Sequence, residues 1–165
     1  MRVVVLFCVV EKEPDPDTGE VYSGDALEVF ERLLVAITPN SEDEDPLTRD
    51  GIPDTAFQDL LCEARVVPLI KSLLEESIFK LVKPKLVMAG AAKSRDERNL
   101  TVGPYFLRLV KYSFRLMTMM AKEHRGNSKL LYTYLEWVEP LLGFNFEAAR
   151  LLTEVRTTNP TISHG

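Results

Sequence analysis

A chain of 165 residues, 45% apolar and 27% charged, has the size and composition of one folded domain, and should bury about 70% of the surface its unfolded form exposes. These values exclude wholesale disorder, and two cysteines are too few for a disulfide framework. The net charge of -5 is uneven: residues 11 to 54 hold 14 acids against Lys12, Arg32 and Arg49, whereas residues 55 to 165 hold 16 bases against 11 acids. Those bases are spread over helices without interleaved aromatic rings, which argues against nucleic acid as a partner.

The opening run M-R-V-V-V-L-F-C-V-V is half the length of a membrane span and is followed by E-K-E-P-D-P-D rather than a small-residue cleavage site. It reads as a buried strand or helix truncated at its front, so residues 1–24 form a lead-in segment and acidic loop. The acidic stretch does not fit a calcium loop, because Thr18 and Gly24 fall where the turn glycine and the bidentate glutamate belong. Asp25, with Glu28 as capping-box partner, starts a helix to Ile37 with Leu27, Phe30, Leu34 and Ile37 inward. Residues 41–53, S-E-D-E-D-P-L-T-R-D-G-I-P, read as a mobile or phosphorylatable loop, of which Ser41 to Gly51 should be dispensable for folding; the alternative is that this loop packs against the basic stripe and its charge is a latch. Asp54 caps the next helix, whose apolar face is Phe57, Leu60, Leu61 and Ala64. After a bend at Val67-Pro68 the pattern continues through Leu69, Ile70, Leu73, Leu74, Ile78 and Leu81 to Pro84. The later G-A-A-K-S lacks the glycine before lysine that a phosphate loop requires.

Pro104 suits the first turn of a long helix that sorts its residues by side. At 100° per residue Phe106, Leu109, Val110, Ser113, Phe114, Met117, Met120 and Ala121 gather together, and Arg108, Lys111, Arg115 and Lys122 fall opposite within about 60°. The expectation is a packed helix with a cationic outer stripe. A tight H-R-G-N-S turn follows, then a helix capped by Asn127 or Ser128 with Leu130, Leu131, Tyr134, Val138 and Leu141 inward until Pro140 bends or ends it. The last helix runs from Asn145 to about Arg156 with Ala148, Leu151, Leu152 and Val155 inward. No hairpin signal for a sheet occurs. The pattern predicts an all-α fold, an armadillo-like antiparallel helical repeat over residues 25–162, with a disordered tail at 163–165.

Catalysis is hard to assemble from these residues. His124 reads as a solvated turn residue and His164 lies in the tail; Cys8 and Cys62 read as buried free thiols; no two-Cys, two-His metal spacing occurs. No enzyme activity, cofactor or metal is expected. The sites left are the cations Arg108, Lys111, Arg115, Lys122 and Arg125, for a phosphate-rich ligand or an acidic neighbouring domain, and the aromatic set Tyr132, Tyr134 and Trp137, which could anchor a partner.

The stretch from Tyr112 to Ile162, with its basic R-G-N turn, its L-E-W helix and its closing N-P turn, resembles the homology domain shared by ryanodine receptors and inositol trisphosphate receptors. Residues 55 to 74, T-A-F-Q-D-L-L-C-E-A-R-V-V-P-L-I-K-S-L-L, are similar to the family's preceding helix pair. The resemblance implies an armadillo-like cytosolic segment of an intracellular ligand-gated calcium-release channel. Its partners would be other domains of the same subunit in a tetramer on the endoplasmic or sarcoplasmic reticulum, without membrane contact by this piece. The alternatives are a generic armadillo-type adaptor and an inositol-phosphate-binding core segment. Where the inositol trisphosphate receptors place phosphate-binding cations, this chain has Thr55, Phe57 and Asp59, then His124, Arg125 and Gly126. Only Arg125 survives, which implies no tight binding of inositol trisphosphate.

Overall fold

A computed structural model of the chain describes residues 24–77, 104–139 and 146–158, and every regular element among them is a helix. The all-α reading therefore holds. The N-terminal apolar run, the G-A-A-K-S segment, the inward positions Ile78 and Leu81, and the residues at Pro140 and Pro160 lie outside the described residues.

Helix α1, Gly24–Ile37, starts one residue before the expected cap and buries Leu27, Phe30, Leu34 and Ile37 as its period requires. It stops where the Thr38 hydroxyl donates to the Leu34 carbonyl at 2.7 Å and Pro39 removes the next backbone donor. Helix α2, Thr55–Glu63, is capped as predicted: the Asp54 carboxylate accepts the Phe57 N–H at 2.8 Å. Cys62 on this helix is a free thiol, half-buried rather than buried.

The chain then breaks at Arg65, two residues earlier than the expected bend at Val67-Pro68, with φ 55° in the left-handed region. The proline is still the cause. Helix α3, Val66–Ser77, has Pro68 in its first turn, where a missing N–H costs nothing, whereas a continuous helix would drive the ring into the carbonyl of Ala64. Val66 and Val67 take buried positions, and Leu69, expected inward, is 40% exposed.

Helix α4, Pro104–Ala121, is the centre of the described fold: α1 and the last described helix, Phe146–Thr158, pack along it, and α2, α3 and the helix Arg125–Tyr132 also touch it. Every residue from Tyr112 to Ala121 is buried. The hydroxyls of Ser113 and Thr118 are satisfied on the helix itself, donating to the carbonyls of Leu109 and Phe114 at 2.7 and 2.9 Å. Fully burying side chains such as Phe114, Leu116, Met117 and Met120 contributes about 1.5–3 kcal/mol each, which makes α4 the main source of apolar stabilisation.

The single helix expected after the turn is two pieces, α5 (Arg125–Tyr132) and the one-turn α6 (Leu135–Val138), parted at Thr133 and Tyr134. Trp137 is half-buried with its ring stacked on Phe114 at 6.0 Å between centroids, so it packs on the core; Tyr134 is half-buried and Tyr132 is exposed. Helix α7, Phe146–Thr158, buries Ala148, Leu151, Leu152 and Val155 as predicted. Among the described residues no helix is long and apolar enough to cross a membrane.

Candidate functional site

The five cations expected along one stripe stand in separate settings. Arg108 and Lys111 are exposed on the first half of α4. Arg108 donates to the Tyr112 hydroxyl at 3.2 Å and approaches Glu31 of α1 at 3.4 Å, and the same Tyr112 hydroxyl donates to Glu31 at 3.1 Å. Arg125, the first residue of α5, is exposed and stands outside the cleft described below.

Arg115 corrects the stripe: it is 6% exposed, and its Nη2 donates to the Arg49 carbonyl at 2.7 Å. Lys122, with a quarter of its side chain exposed, donates from Nζ to Asp50 at 3.0 Å and to the Gly51 carbonyl at 3.2 Å. The second half of the stripe therefore lies under the 38–51 segment instead of in solvent. The sequence carries a sign of this, since Tyr112 and Met119 fall beside the cations, within about 40° of Arg115's neighbours on the helical wheel. A face interrupted by two large apolar groups is a face that something covers.

What covers it is organised by Arg49, a lone base among the acids from Glu42 to Asp54. Its guanidinium is buried and spends its donors on the loop's own oxygens: the Thr38 hydroxyl at 3.0 Å, the Thr38 carbonyl at 2.9 Å, the Ser41 carbonyl at 2.7 Å and the Asp43 carbonyl at 2.5 Å. Asp45 adds an Asx turn by accepting the Leu47 N–H at 2.9 Å. The acidic segment is thus a folded strap, of whose acids Asp50 alone pairs with the basic part of α4 among the described contacts, while Glu42 to Asp45 stay exposed. The cation that organises it comes from within the strap.

A second polar junction holds the other side of the α4 terminus. The last carbonyls of a helix have no partner within it; here the buried Gln58 amide donates to the carbonyls of Met119 and Lys122 at 2.8 and 2.9 Å. The buried Asn127 amide donates to Met120 at 3.2 Å and to the Gln58 carbonyl at 3.1 Å. Glu123 turns the chain in the left-handed region, φ 57°. The cap of α5 is neither Asn127 nor Ser128 but His124, whose Nδ1 accepts the Asn127 N–H at 3.1 Å. That leaves Nε2 to carry the proton toward Asp59 of α2 at 2.9 Å. His124 is a structural cap with a side chain 16% exposed, not a solvated turn residue.

Between the strap and α7 lies an open cleft of about 770 Å³, lined among others by Asp50, Arg115, Lys122, Glu147 and Arg150. Arg150 Nη1 approaches Glu147 at 3.4 Å. Burial pushes the Arg115 guanidinium below its ordinary range, with Glu147 opposing. Asp50 is held below the usual carboxylate range by its hydrogen bond and charge contact with Lys122, with smaller help from Arg115 and Arg150. Arg150, on a helix read for its apolar face, was not visible as part of a site. Among the described residues no group of His, Cys, Asp and Glu could hold a metal ion. Comparison with protein-family models, curated proteins and solved structures finds no match to this chain.

Proposed function

We propose that the chain is a non-catalytic regulatory domain of the ryanodine and inositol trisphosphate receptor homology type, an armadillo-like cytosolic segment that passes conformational change between the domains of an intracellular calcium-release channel. The observation that supports a relay is the tying of one central helix to several peripheral elements by directional polar bonds. Tyr112 binds Glu31 of α1, Arg115 and Lys122 bind the strap, and the α4 terminus binds Gln58 of α2. A displacement of any of these elements by a neighbouring domain strains bonds to α4. The residues that carry the family resemblance span most of α4, the turn and α5 to α7, and the partners on this reading are other domains of the same subunit.

The test is store-calcium release in cells stripped of their own release channels and expressing the complete gene product. Release that Gln58→Ala alters at unchanged expression supports the relay. A complete product that lacks a pore segment and releases no calcium makes the domain an adaptor instead. Calorimetric titration with inositol trisphosphate should show no tight binding at the turn, since the one exposed arginine there supplies too few convergent cations. Tight, salt-sensitive binding that Arg125→Ala abolishes would turn the reading into a ligand-sensing core.

A further inference from the structure

The cleft between the strap and α7 contains a group whose chemistry the fold leaves incomplete. Arg115 is more than nine-tenths buried, yet it makes one hydrogen bond, to a backbone carbonyl, and its Nε has no acceptor. No carboxylate among the described residues forms an ion pair with it. A buried cation is ordinarily given an anionic partner or a full set of hydrogen bonds, because the cost of removing it from water is otherwise not recovered. Arg49, buried nearby, meets that requirement with four oxygens; Arg115 does not.

Two further cations line the same cleft, and both can change partners. Lys122 holds Asp50, whose side chain is 76% exposed, and Arg150, 52% exposed, reaches Glu147 at the long distance of 3.4 Å. The Asp50 charge is favoured chiefly by Lys122, with smaller contributions from Arg115 and Arg150. Asp50 lines the cleft as a tethered, largely solvent-facing anion.

We propose that this cleft binds a small oxyanion of phosphate size, held by Arg115, Lys122 and Arg150, and that Asp50 competes for the same cations. The buried guanidinium supplies a planar donor group that matches tetrahedral oxyanions, and Lys122 and Arg150 add charge in the same cleft. A dianion gains more from three cations than the single charge of Asp50 does, while the tether gives Asp50 the advantage of local concentration. Affinity for the bare ion should therefore be modest, on the order of millimolar. The site is separate from the turn at Arg125, and it does not depend on the calcium-channel reading.

The experiment is a titration of the chain with inorganic phosphate at constant ionic strength, balanced with chloride, following the arginine Nε–Hε resonances. Phosphoserine titrated in parallel distinguishes a free anion from a phosphomonoester. Saturable movement of the Arg115 signal is expected. Asp50→Asn should tighten binding about threefold by removing the competitor, and Arg150→Gln should weaken it by a similar factor. Both residues are largely solvent-facing, so these variants stay folded whatever becomes of an Arg115 variant. An Arg115 signal that ignores phosphate, that moves equally with chloride, or that loses affinity in Asp50→Asn would overturn the proposal.

Discussion

The strap of residues 38–51 and the turn between α4 and α5 are both polar, both pressed against the second half of α4, and both present backbone carbonyls that neighbouring side chains must satisfy. They solve this in opposite ways. The strap is gathered by one buried cation, Arg49, whose fork reaches oxygens on Thr38, Ser41 and Asp43. The turn is gathered by two neutral amides, Gln58 and Asn127, which share four carbonyl contacts. A charged donor makes the stronger bonds but must itself be kept out of water, so its loss costs more and its replacement is less forgiving. Neutral amides make weaker bonds that neither salt nor pH disturbs.

The sharpest way to break that contrast is to remove Arg49. Arg49→Ala deletes four hydrogen bonds at once and should cost about 3–5 kcal/mol, lowering the melting temperature by roughly 10 °C. Arg49→Lys should recover less than half, because an ammonium cannot present the planar fork. Thermal denaturation of the two variants measures this directly. A loss within the error of the wild-type transition would mean the strap is dispensable after all. Next in size is Gln58→Leu, which keeps the volume but leaves two α4 carbonyls without their donor; about 2–3 kcal/mol is expected, unchanged between low and high salt. A salt-dependent loss there would remove the distinction between the two junctions.

How far the sequence disclosed these junctions follows from what holds them. Apolar period alone located α1, α2, the long α4 and α7, because Phe30, Leu34, Phe114, Leu151 and their neighbours bury a single face or a whole helix, and burial of that kind is written in spacing. The bonds that fasten the strap and α2 to α4 join residues 60 or more apart in sequence, such as Gln58 with Met119 and Arg115 with Arg49, and no local pattern encodes a partner at that distance. Arg115 shows the limit within a helix. Four cations on one arc read as a wet surface, but whether water or another segment covers the arc is decided elsewhere in the chain, here by Arg49 folding the strap. The local hints were Tyr112 and Met119 beside the stripe. His124 was misread for a related reason: Asn and Ser are commoner caps, and only the position of Asp59 fixes the imidazole so that Nδ1 can accept.

The cap permits a smaller test. His124→Ala removes both the bond to the Asn127 N–H and the contact with Asp59, and should cost about 1 kcal/mol. His124→Asn keeps an acceptor at the cap while losing Asp59, so it should recover part of the loss. If the two variants melt together, the contact with Asp59 carries the stabilisation and the cap does not.

The smallest expected effect belongs to the ion pair that closes the strap onto α4, Lys122 with Asp50. The Asp50 carboxyl is held below its ordinary range, chiefly by the hydrogen bond from Lys122, so the folded chain binds its proton less readily than the unfolded chain does. The stability it adds is therefore fully present above the ordinary carboxylate range and is lost as pH falls through the lowered folded value, below about pH 4. Because the Asp50 side chain is largely in solvent, that contribution is at most about 0.5 kcal/mol at low salt and shrinks as salt screens it. Asp50→Asn should accordingly fall slightly behind the wild type at pH 6 and approach it as pH drops through the lowered folded value, with the gap at pH 6 closing in molar salt. Arg49→Ala, by contrast, should remain destabilised under all of these conditions, since its bonds run to backbone carbonyls and a hydroxyl that do not titrate. A gap for Asp50→Asn that persists in high salt would show that the strap is closed by something other than this exposed pair.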